Sequence, residues 1–293
     1  MWPVLFKIPV PFTDHAIPIQ SFGLMVALAF LFCSKLMERL LRREGFTDFR
    51  GLDSVLFWIL IGVVLGARAL YVIVQRHEFE GRWIDAIRID KGGMVMYGGM
   101  IGAVSLGIWR AVKEKLPLWQ VADAGGVAGA LGLGIGRIGC LLVGDDYGKP
   151  CDPSFPLAIK FSTRFEPGSF LGIPIPANNG NLAGDHQGLF LHPTQVYMSV
   201  NGFLLCLILL WMWRTKAFHG QVFWTFVLLK AVTRSIIEVF RDDADRGTVG
   251  PLSTSQFLGL VTGLVAVGML MLLARRRELR TPPDRLSNPN PAD

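Results

Sequence analysis

Apolar runs of about 20 residues recur along the whole chain, and they constrain its fold more than any other feature. A helix that crosses a bilayer needs about 20 mostly apolar residues. Seven such runs are present, at Ile19–Met37, Asp53–Gln75, Gly93–Val112, Pro117–Gly136, Pro193–Trp213, Gly220–Phe240 and Ser253–Ala274. Charged residues make up only 18% of the chain, against roughly a quarter in soluble domains. The pattern predicts an all-α polytopic membrane protein with about seven transmembrane helices.

The distribution of basic residues predicts how these helices cross the membrane. Segments that are separated by an even number of crossings lie on the same side of the membrane. One such set consists of residues 35–50, 110–115 and 214–216 and the tail from Arg275. They contain 15 Lys and Arg residues against 7 acids. Because cytoplasmic loops carry an excess of Lys and Arg, we expect the N-terminus outside and the C-terminus inside. The net charge of +6 then requires no nucleic-acid partner.

This topology divides the chain into regions. Residues 1–18 are apolar but interrupted by four prolines, so we expect an interfacial segment rather than a continuous helix. Residues 19–274 form the transmembrane domain, with a small extracytoplasmic subdomain at 137–192 between spans 4 and 5. Residues 275–293 are basic and rich in proline, and we expect a disordered cytoplasmic tail.

The glycine-rich stretch Gly132–Gly148 ends the fourth span and contains Arg137, followed by Cys140 and Asp145. Glycines let neighbouring backbones approach closely. A guanidinium offers five donors and suits a phosphate better than any other side chain does. The alternative is a cation that stabilises the negative end of a helix. Cys140 and Cys151 both fall in the outer loop and could form a disulfide in an oxidising compartment.

Spans 2 and 3 carry further polar groups near their outer ends. Arg68 and Tyr71 lie one turn apart in span 2, and Tyr97 precedes the pair Gly98 and Gly99 in span 3. The glycines indicate either a tight helix contact or a backbone close to a ligand. For Arg68 the alternative is a side chain that snorkels to the outer surface, and for Tyr97 it is a place in the aromatic belt.

Span 6 carries Lys230, Arg234, Glu238 and Arg241 at spacings of 4, 4 and 3. This spacing predicts one helix face, which must look into the bundle or a wet cavity rather than at lipid. Arg234 and Glu238 have the spacing of an ion pair. Asp123 lies at the other end of span 4, far from Arg137, and a structural role is expected for it.

The polar residues at the outer membrane side, including His192, Gln195 and Tyr197 at the start of span 5, suggest one chamber that opens outward. A surplus of arginine at acyl-chain depth indicates an anionic ligand with lipid tails, which means a phospholipid headgroup. The sequence contains no Walker loop, no HExxH and no serine-elbow pattern. Few histidines and no paired-cysteine motif argue against a metal site, and no cofactor is expected.

Four motifs together resemble the phosphatidylglycerol–prolipoprotein diacylglyceryl transferase family. They are Gly136-Arg137-Ile-Gly with Gly144 and Gly148, Tyr97-Gly-Gly-Met-Ile-Gly102, His192-Pro-Thr-Gln-Val-Tyr197 and Arg234-x3-Glu238-x2-Arg241. The resemblance implies transfer of the diacylglyceryl group of phosphatidylglycerol to the lipobox cysteine thiol of a prolipoprotein signal peptide, with release of glycerol-1-phosphate. It also implies a multi-pass protein of the bacterial cytoplasmic membrane, in contact with membrane lipid, whose active site faces the extracytoplasmic side.

The same resemblance implies roles for individual residues. The implied catalytic residues are Arg137, Arg234, Tyr97 and Glu238. Our mechanistic hypothesis places both arginines on the phosphate and lets Glu238 orient Arg234. It makes Tyr97, at a position where the family often has histidine, the relay for the thiol proton. The implied substrate-binding residues are Arg68, Tyr71, Gly98, Gly99, Cys140, Asp145, Gly148, His192, Gln195, Tyr197, Lys230 and Arg241.

Several positions depart from the family pattern while the arginines are kept. Cys140 replaces an asparagine, Asp145 a glutamate, Phe22 and Lys230 tyrosines, and Met198 an acid. A divergent active enzyme, a paralogue with a narrower set of prolipoproteins and a lipid-binding relative without transfer therefore remain open. A lipid or anion transporter would also hold intramembrane arginines, but the two repeated halves usual in such transporters are not found. The charged face of span 6 argues against a purely structural membrane protein.

Overall fold

A computed structural model describes residues 4–9, 16–79, 83–86, 93–160, 168–175, 188–241, 248–249 and 252–276. Within these ranges the chain forms seven α-helices, each on one of the seven apolar runs. They are α1 (Ser21–Arg43), α2 (Phe49–Val74), α3 (Met96–Lys113), α4 (Leu118–Val143), α5 (Thr194–Thr215), α6 (Gln221–Glu238) and α7 (Thr254–Arg275). Four of them, α2, α4, α5 and α7, are long and apolar enough to cross a bilayer. The prediction of a helical polytopic membrane protein is confirmed at this level.

Short strands lie between the helices and before α1. Before α1, β1 (Val4–Pro9) pairs antiparallel with β2 (Ala16–Gln20), so the described part of the proline-interrupted N-terminal segment forms strands and not the continuous helix that the prolines argued against. Between α4 and α5, a four-stranded sheet has the order β5-β4-β3-β6. Its strands are β3 (Ile159–Lys160), β4 (Gly168–Phe170), β5 (Ile173–Ile175) and β6 (Phe190–Leu191). A hairpin of β7 (Thr248–Val249) and β8 (Leu252–Ser253) precedes α7. The tail expected at 275–293 lies, beyond Arg276, outside the described residues.

The chain folds as two compact units, of which one contains residues 38–121 and the other contains 1–37 and 122–293. In the unit of residues 38–121, α2 and α3 pack backbone against backbone through glycines. A Cβ on Gly66 would collide with the carbonyl oxygen of Gly98, and a Cβ on Gly98 with that of Gly66. The prediction of a tight helix contact is therefore confirmed for Gly98.

In the other unit, Asp123 joins α4 to the start of α6. Its carboxylate accepts hydrogen bonds from Lys216 Nζ at 3.2 Å, from the Gly220 amide at 2.9 Å and from the Phe223 amide at 3.0 Å. Asp123 and Lys216 are both buried. The carboxylate thus pairs with a buried cation and also satisfies amides that a helix N-terminus leaves without partners. The structural role predicted for Asp123 is confirmed.

The glycine run of α4 packs against α5. A Cβ on Gly202 of α5 would lie 2.5 Å from the Gly134 amide nitrogen, and Ser199 Oγ donates to the Gly134 carbonyl at 2.8 Å. This close approach fixes the C-terminal part of α4, and with it Arg137, relative to the first turns of α5.

Candidate active site

The centre of the candidate site is a carboxylate held between two arginines. The chain leaves α4 at Val143 and turns through Gly144 (φ 87°) to Asp146 (φ 60°). One oxygen of the Asp146 carboxylate pairs with Arg137 Nη1, and the other accepts from Arg241 Nη2 at 2.5 Å. The Arg241 side chain is 1% exposed, whereas those of Arg137 and Asp146 are 16% and 20% exposed. The three groups carry a net positive charge that can be reached at Arg137.

Two buried side chains of α5 hold the backbone that carries this carboxylate. Thr194 Oγ1 donates to the Asp146 carbonyl at 2.7 Å, and Gln195 Nε2 donates to the Asp145 carbonyl at 2.5 Å. Asp145 is exposed, and its carboxylate accepts a hydrogen bond from the Asp146 amide at 2.8 Å. The arginine contacts therefore belong to Asp146, which sequence reasoning missed, and not to the predicted Asp145. The only signal in the sequence was two adjacent acids.

Arg241 reaches the site from an irregular segment, so its predicted position on the face of span 6 is wrong. α6 ends at Glu238, and Arg241 instead forms an antiparallel bridge with Gly148. The Lys149 amide also donates to the Phe240 carbonyl at 2.9 Å. The Arg241 guanidinium then points inward, with Nη1 3.6 Å from Met198 Sδ.

The other charged residues of α6 lie as their spacing predicts. Arg234 and Glu238 form an ion pair, and their side chains are 17% and 8% exposed. Both side chains also form hydrogen bonds with residues at the start of α7. Arg234 Nη2 donates to Ser255 Oγ at 3.4 Å, and Ser253 Oγ donates to Glu238 Oε1 at 3.3 Å. Lys230 is exposed and lies within electrostatic range of Arg137 and Arg234. α4 and α6 thus bring three cations into one region.

Gly148 and His192 form the framework beside the arginines. The Gly148 amide donates to the His192 carbonyl at 2.9 Å, and His192 Nδ1 lies 3.0 Å from Tyr197 Oη. The His192 ring packs edge-on against Phe155 and Phe240. These contacts link the segment between α4 and α5 to the start of α5 and to the residues that follow α6.

The four cysteines are free thiols, so the structure does not contain the disulfide considered for Cys140 and Cys151. Cys140 instead lies within hydrogen-bonding reach of the Asp146 carboxylate. Cys151 lies in the segment between α4 and α5, where burial and the nearby charge of Asp152 raise the pKa of its thiol. Across the described residues, no cluster of three or more His, Cys, Asp or Glu is placed to hold a metal ion.

The remaining predicted site residues lie in the unit of residues 38–121. Arg68 is buried and donates to the carbonyls of Asp85 at 2.7 Å, Ala86 at 2.8 Å and Gly93 at 3.0 Å. Its guanidinium also lies 5.4 Å from the centre of the Tyr71 ring. The snorkelling alternative is therefore wrong for Arg68, which holds the segment between α2 and α3.

At the start of α3, Tyr97 is 38% exposed. Gly99, like its neighbour Gly98, is buried against α2, since a Cβ there would lie 3.2 Å from the Val63 carbonyl oxygen. A contact of these residues with substrate stays a prediction.

The fold and the site define the class of protein: a polytopic helical membrane protein in which arginines from α4 and from the segment after α6 surround one carboxylate. A family model described as "Prolipoprotein diacylglyceryl transferase" matches residues 3–272. The chain belongs to the prolipoprotein diacylglyceryl transferase family, as its motifs predicted.

Three relatives named phosphatidylglycerol–prolipoprotein diacylglyceryl transferase illustrate the similarity. The protein of Clostridium tetani is 33% identical over 263 residues, which cover 88% of this chain and 95% of the relative. That of Geobacter sulfurreducens is 30% identical, with 92% and 96% covered. That of Thermus thermophilus is also 30% identical, with 88% and 95% covered. The similarity therefore extends over nearly the whole length of both partners.

Proposed function

We propose that this protein transfers the diacylglyceryl group of phosphatidylglycerol to the lipobox cysteine thiol of a prolipoprotein. In this reaction the sulfur bonds to the glyceryl carbon, and the bond between that carbon and the phosphate oxygen breaks. The thiol loses its proton, and glycerol-1-phosphate leaves. The phosphate gains one negative charge as the bond breaks, so the site must stabilise a growing anion. The names of the relatives support this activity.

The observation that carries the proposal is the arrangement of Arg137, Asp146 and Arg241. Among the described residues, Arg137 is hydrogen-bonded through Nη1 to Asp146, which leaves Nε and Nη2 to a phosphate. Arg234, oriented by Glu238, supplies the second cation. Donors that are fixed before the reaction stabilise charge that develops in the transition state, and removing one such donor typically costs about 100- to 1,000-fold in rate.

The acceptor thiol also needs a group to take its proton, because a free thiol has a pKa of about 8.5. We propose Tyr97 for this role, in line with its predicted function as a proton relay. A Tyr97→Phe variant tests this, because it keeps the ring and removes only the hydroxyl.

We infer that all seven helices cross the bacterial cytoplasmic membrane, with the N-terminus and the site on the extracytoplasmic side. Basic residues support this orientation, since Arg42 and Arg43 end α1 and Arg275 ends α7. These ends would face the cytoplasm. The acyl chains of the donor would stay in the bilayer while its phosphate reaches the arginines.

The experiment that tests the proposal removes both phosphate-binding arginines. The Arg137→Ala/Arg234→Ala variant is expected to insert into membranes but to form no diacylglyceryl peptide. Arg42→Ala is the matched control, because Arg42 is an exposed arginine paired with Glu38. Wild-type turnover in the double variant would contradict the assignment. A transporter would instead move phosphatidylglycerol between leaflets without any acceptor peptide, which a leaflet-specific lipid assay measures.

A further inference from the structure

We propose that Asp146 is the positioning residue of this site. Its carboxylate pairs with Arg137 through one oxygen and with Arg241 through the other, so that Arg137 presents its remaining donors to the phosphate of the lipid. This inference rests on the proposed function. It assigns a role to a residue that neither the spacing of the motifs nor their resemblance selected.

The backbone explains why Asp146, and not its neighbour Asp145, reaches the arginines. Thr194 and Gln195 are consecutive, fully buried residues of α5, and they bind consecutive carbonyls of the 145–146 segment. Asp146 adopts φ 60°, a left-handed conformation that aspartate tolerates better than most residues. Held in this way, its carboxylate turns toward the arginines, whereas that of Asp145 bonds the next amide.

The charges explain why a carboxylate is needed at this point. The side chain of Arg241 is 1% exposed, and a buried guanidinium is stable only with a compensating charge. On its other side, Arg241 meets the sulfur of Met198, which is a weak acceptor without charge. The same Asp146 carboxylate orients Arg137, which is accessible. The Asp146 carboxylate therefore compensates the buried charge of Arg241 and orients the partly exposed guanidinium of Arg137.

The first test compares Asp146→Asn with a matched variant, Asp152→Asn. Both remove one carboxylate charge from the same segment, but Asp152 is exposed and its carboxylate accepts hydrogen bonds from the amide and the hydroxyl of Ser154. We expect Asp146→Asn to lower kcat/KM for phosphatidylglycerol by about 10- to 100-fold, the usual effect of a hydrogen bond to a charged group, and Asp152→Asn to match the wild type. Asp146→Glu should restore part of the loss. If Asp145→Asn lowers kcat/KM more than Asp146→Asn does, the inference is overturned.

The second test separates positioning from stability. Glutamate at position 198 would place its carboxyl carbon near the present position of Met198 Sδ, 3.6 Å from Arg241 Nη1. In the Asp146→Asn background, Met198→Glu should therefore recover melting temperature by compensating Arg241. It should not recover transfer, because Arg137 would still lack its partner. Recovery of both would mean that Asp146 acts only through stability, which would contradict the inference.

Binding of the lipid distinguishes failure of this inference from failure of the proposed function. If the wild-type protein forms no product, the proposed function fails, and stabilisation by phosphatidylglycerol-containing micelles then decides the inference. A ligand that binds the native state raises its melting temperature. We expect that rise to be largely lost in Asp146→Asn and kept in Asp152→Asn. An equal rise in both variants would overturn the role of Asp146, whatever the activity.

Discussion

Gly148 is the position where the smallest change should disturb the site most. A Cβ at this position would lie 2.5 Å from the Phe240 carbonyl oxygen, 2.7 Å from Thr194 Cγ2 and 2.8 Å from His192 Cβ. Real Cβ atoms do not approach other atoms this closely, so a neighbour must move. Gly148→Ala therefore tests whether the segment carrying Asp146 is locked as tightly as the structure indicates.

None of these neighbours can move cheaply. The Phe240 carbonyl accepts from the Lys149 amide at 2.9 Å, and Gly148 itself donates to His192 at 2.9 Å. Displacing either would break the bridge between Gly148 and Arg241. Overpacking of a tight site costs about 1–3 kcal/mol, and we expect a destabilisation of that size. Because Arg241 would move with the bridge, diacylglyceryl transfer should fall as well.

The assay is thermal unfolding of the purified protein in detergent, together with the rate of transfer to a lipobox peptide. Gly268→Ala is the matched control, because a Cβ at this position of α7 meets nothing within 4 Å. An alanine in a helix interior is favoured over glycine by up to about 1 kcal/mol, so this control should not lower the melting temperature. If Gly148→Ala melts and turns over like Gly268→Ala, the reasoning about the locked segment is refuted.

Three further predictions concern packing and charge. Asp123→Ala should destabilise the protein by about 3–5 kcal/mol, because it leaves the Lys216 ammonium buried without its partner; adding Lys216→Met should recover part of this in a thermal melt. Gly98→Leu should lower the melting temperature through a collision with the backbone of α2, and an unchanged melt would argue against the glycine contact. Burial and the charge of Asp152 both raise the pKa of the Cys151 thiol. Asp152→Asn removes the second cause, so more of the thiol should be ionised at pH 8 and Cys151 should be alkylated faster. Mass spectrometry of the alkylated peptide gives the rate.

Much of the fold follows from the length and spacing of sequence patterns. Apolar runs of bilayer length predict the seven helices, because backbone groups in lipid must bond within their own segment. The spacing of four between Arg234 and Glu238 predicts their ion pair. The glycines around Gly98 predict a close helix contact. In each case the pattern acts within one helix or between two neighbouring helices.

The centre of the site depends on geometry that such patterns do not contain. The choice between Asp145 and Asp146 rests on one backbone torsion, set by side chains of α5 about 50 residues away. Arg241 continues the spacing of α6, yet the helix ends at Glu238, where the sequence has neither glycine nor proline to mark the end. The sequence places Arg68 at a depth within the membrane, but its hydrogen-bond partners are backbone carbonyls of the segment between α2 and α3. Because every residue has a backbone carbonyl, no sequence pattern identifies these partners.

The central claim is diacylglyceryl transfer to a thiol, and its products test it most directly. Purified wild-type protein would be placed in liposomes of phosphatidylglycerol with a lipobox peptide, and peptide mass and released glycerol phosphate would be followed together. We expect the peptide to gain the mass of one diacylglyceryl group, with one glycerol phosphate released per peptide and no product from a peptide in which serine replaces the cysteine. Phosphatidylglycerol that binds to the protein while neither product forms would contradict the account.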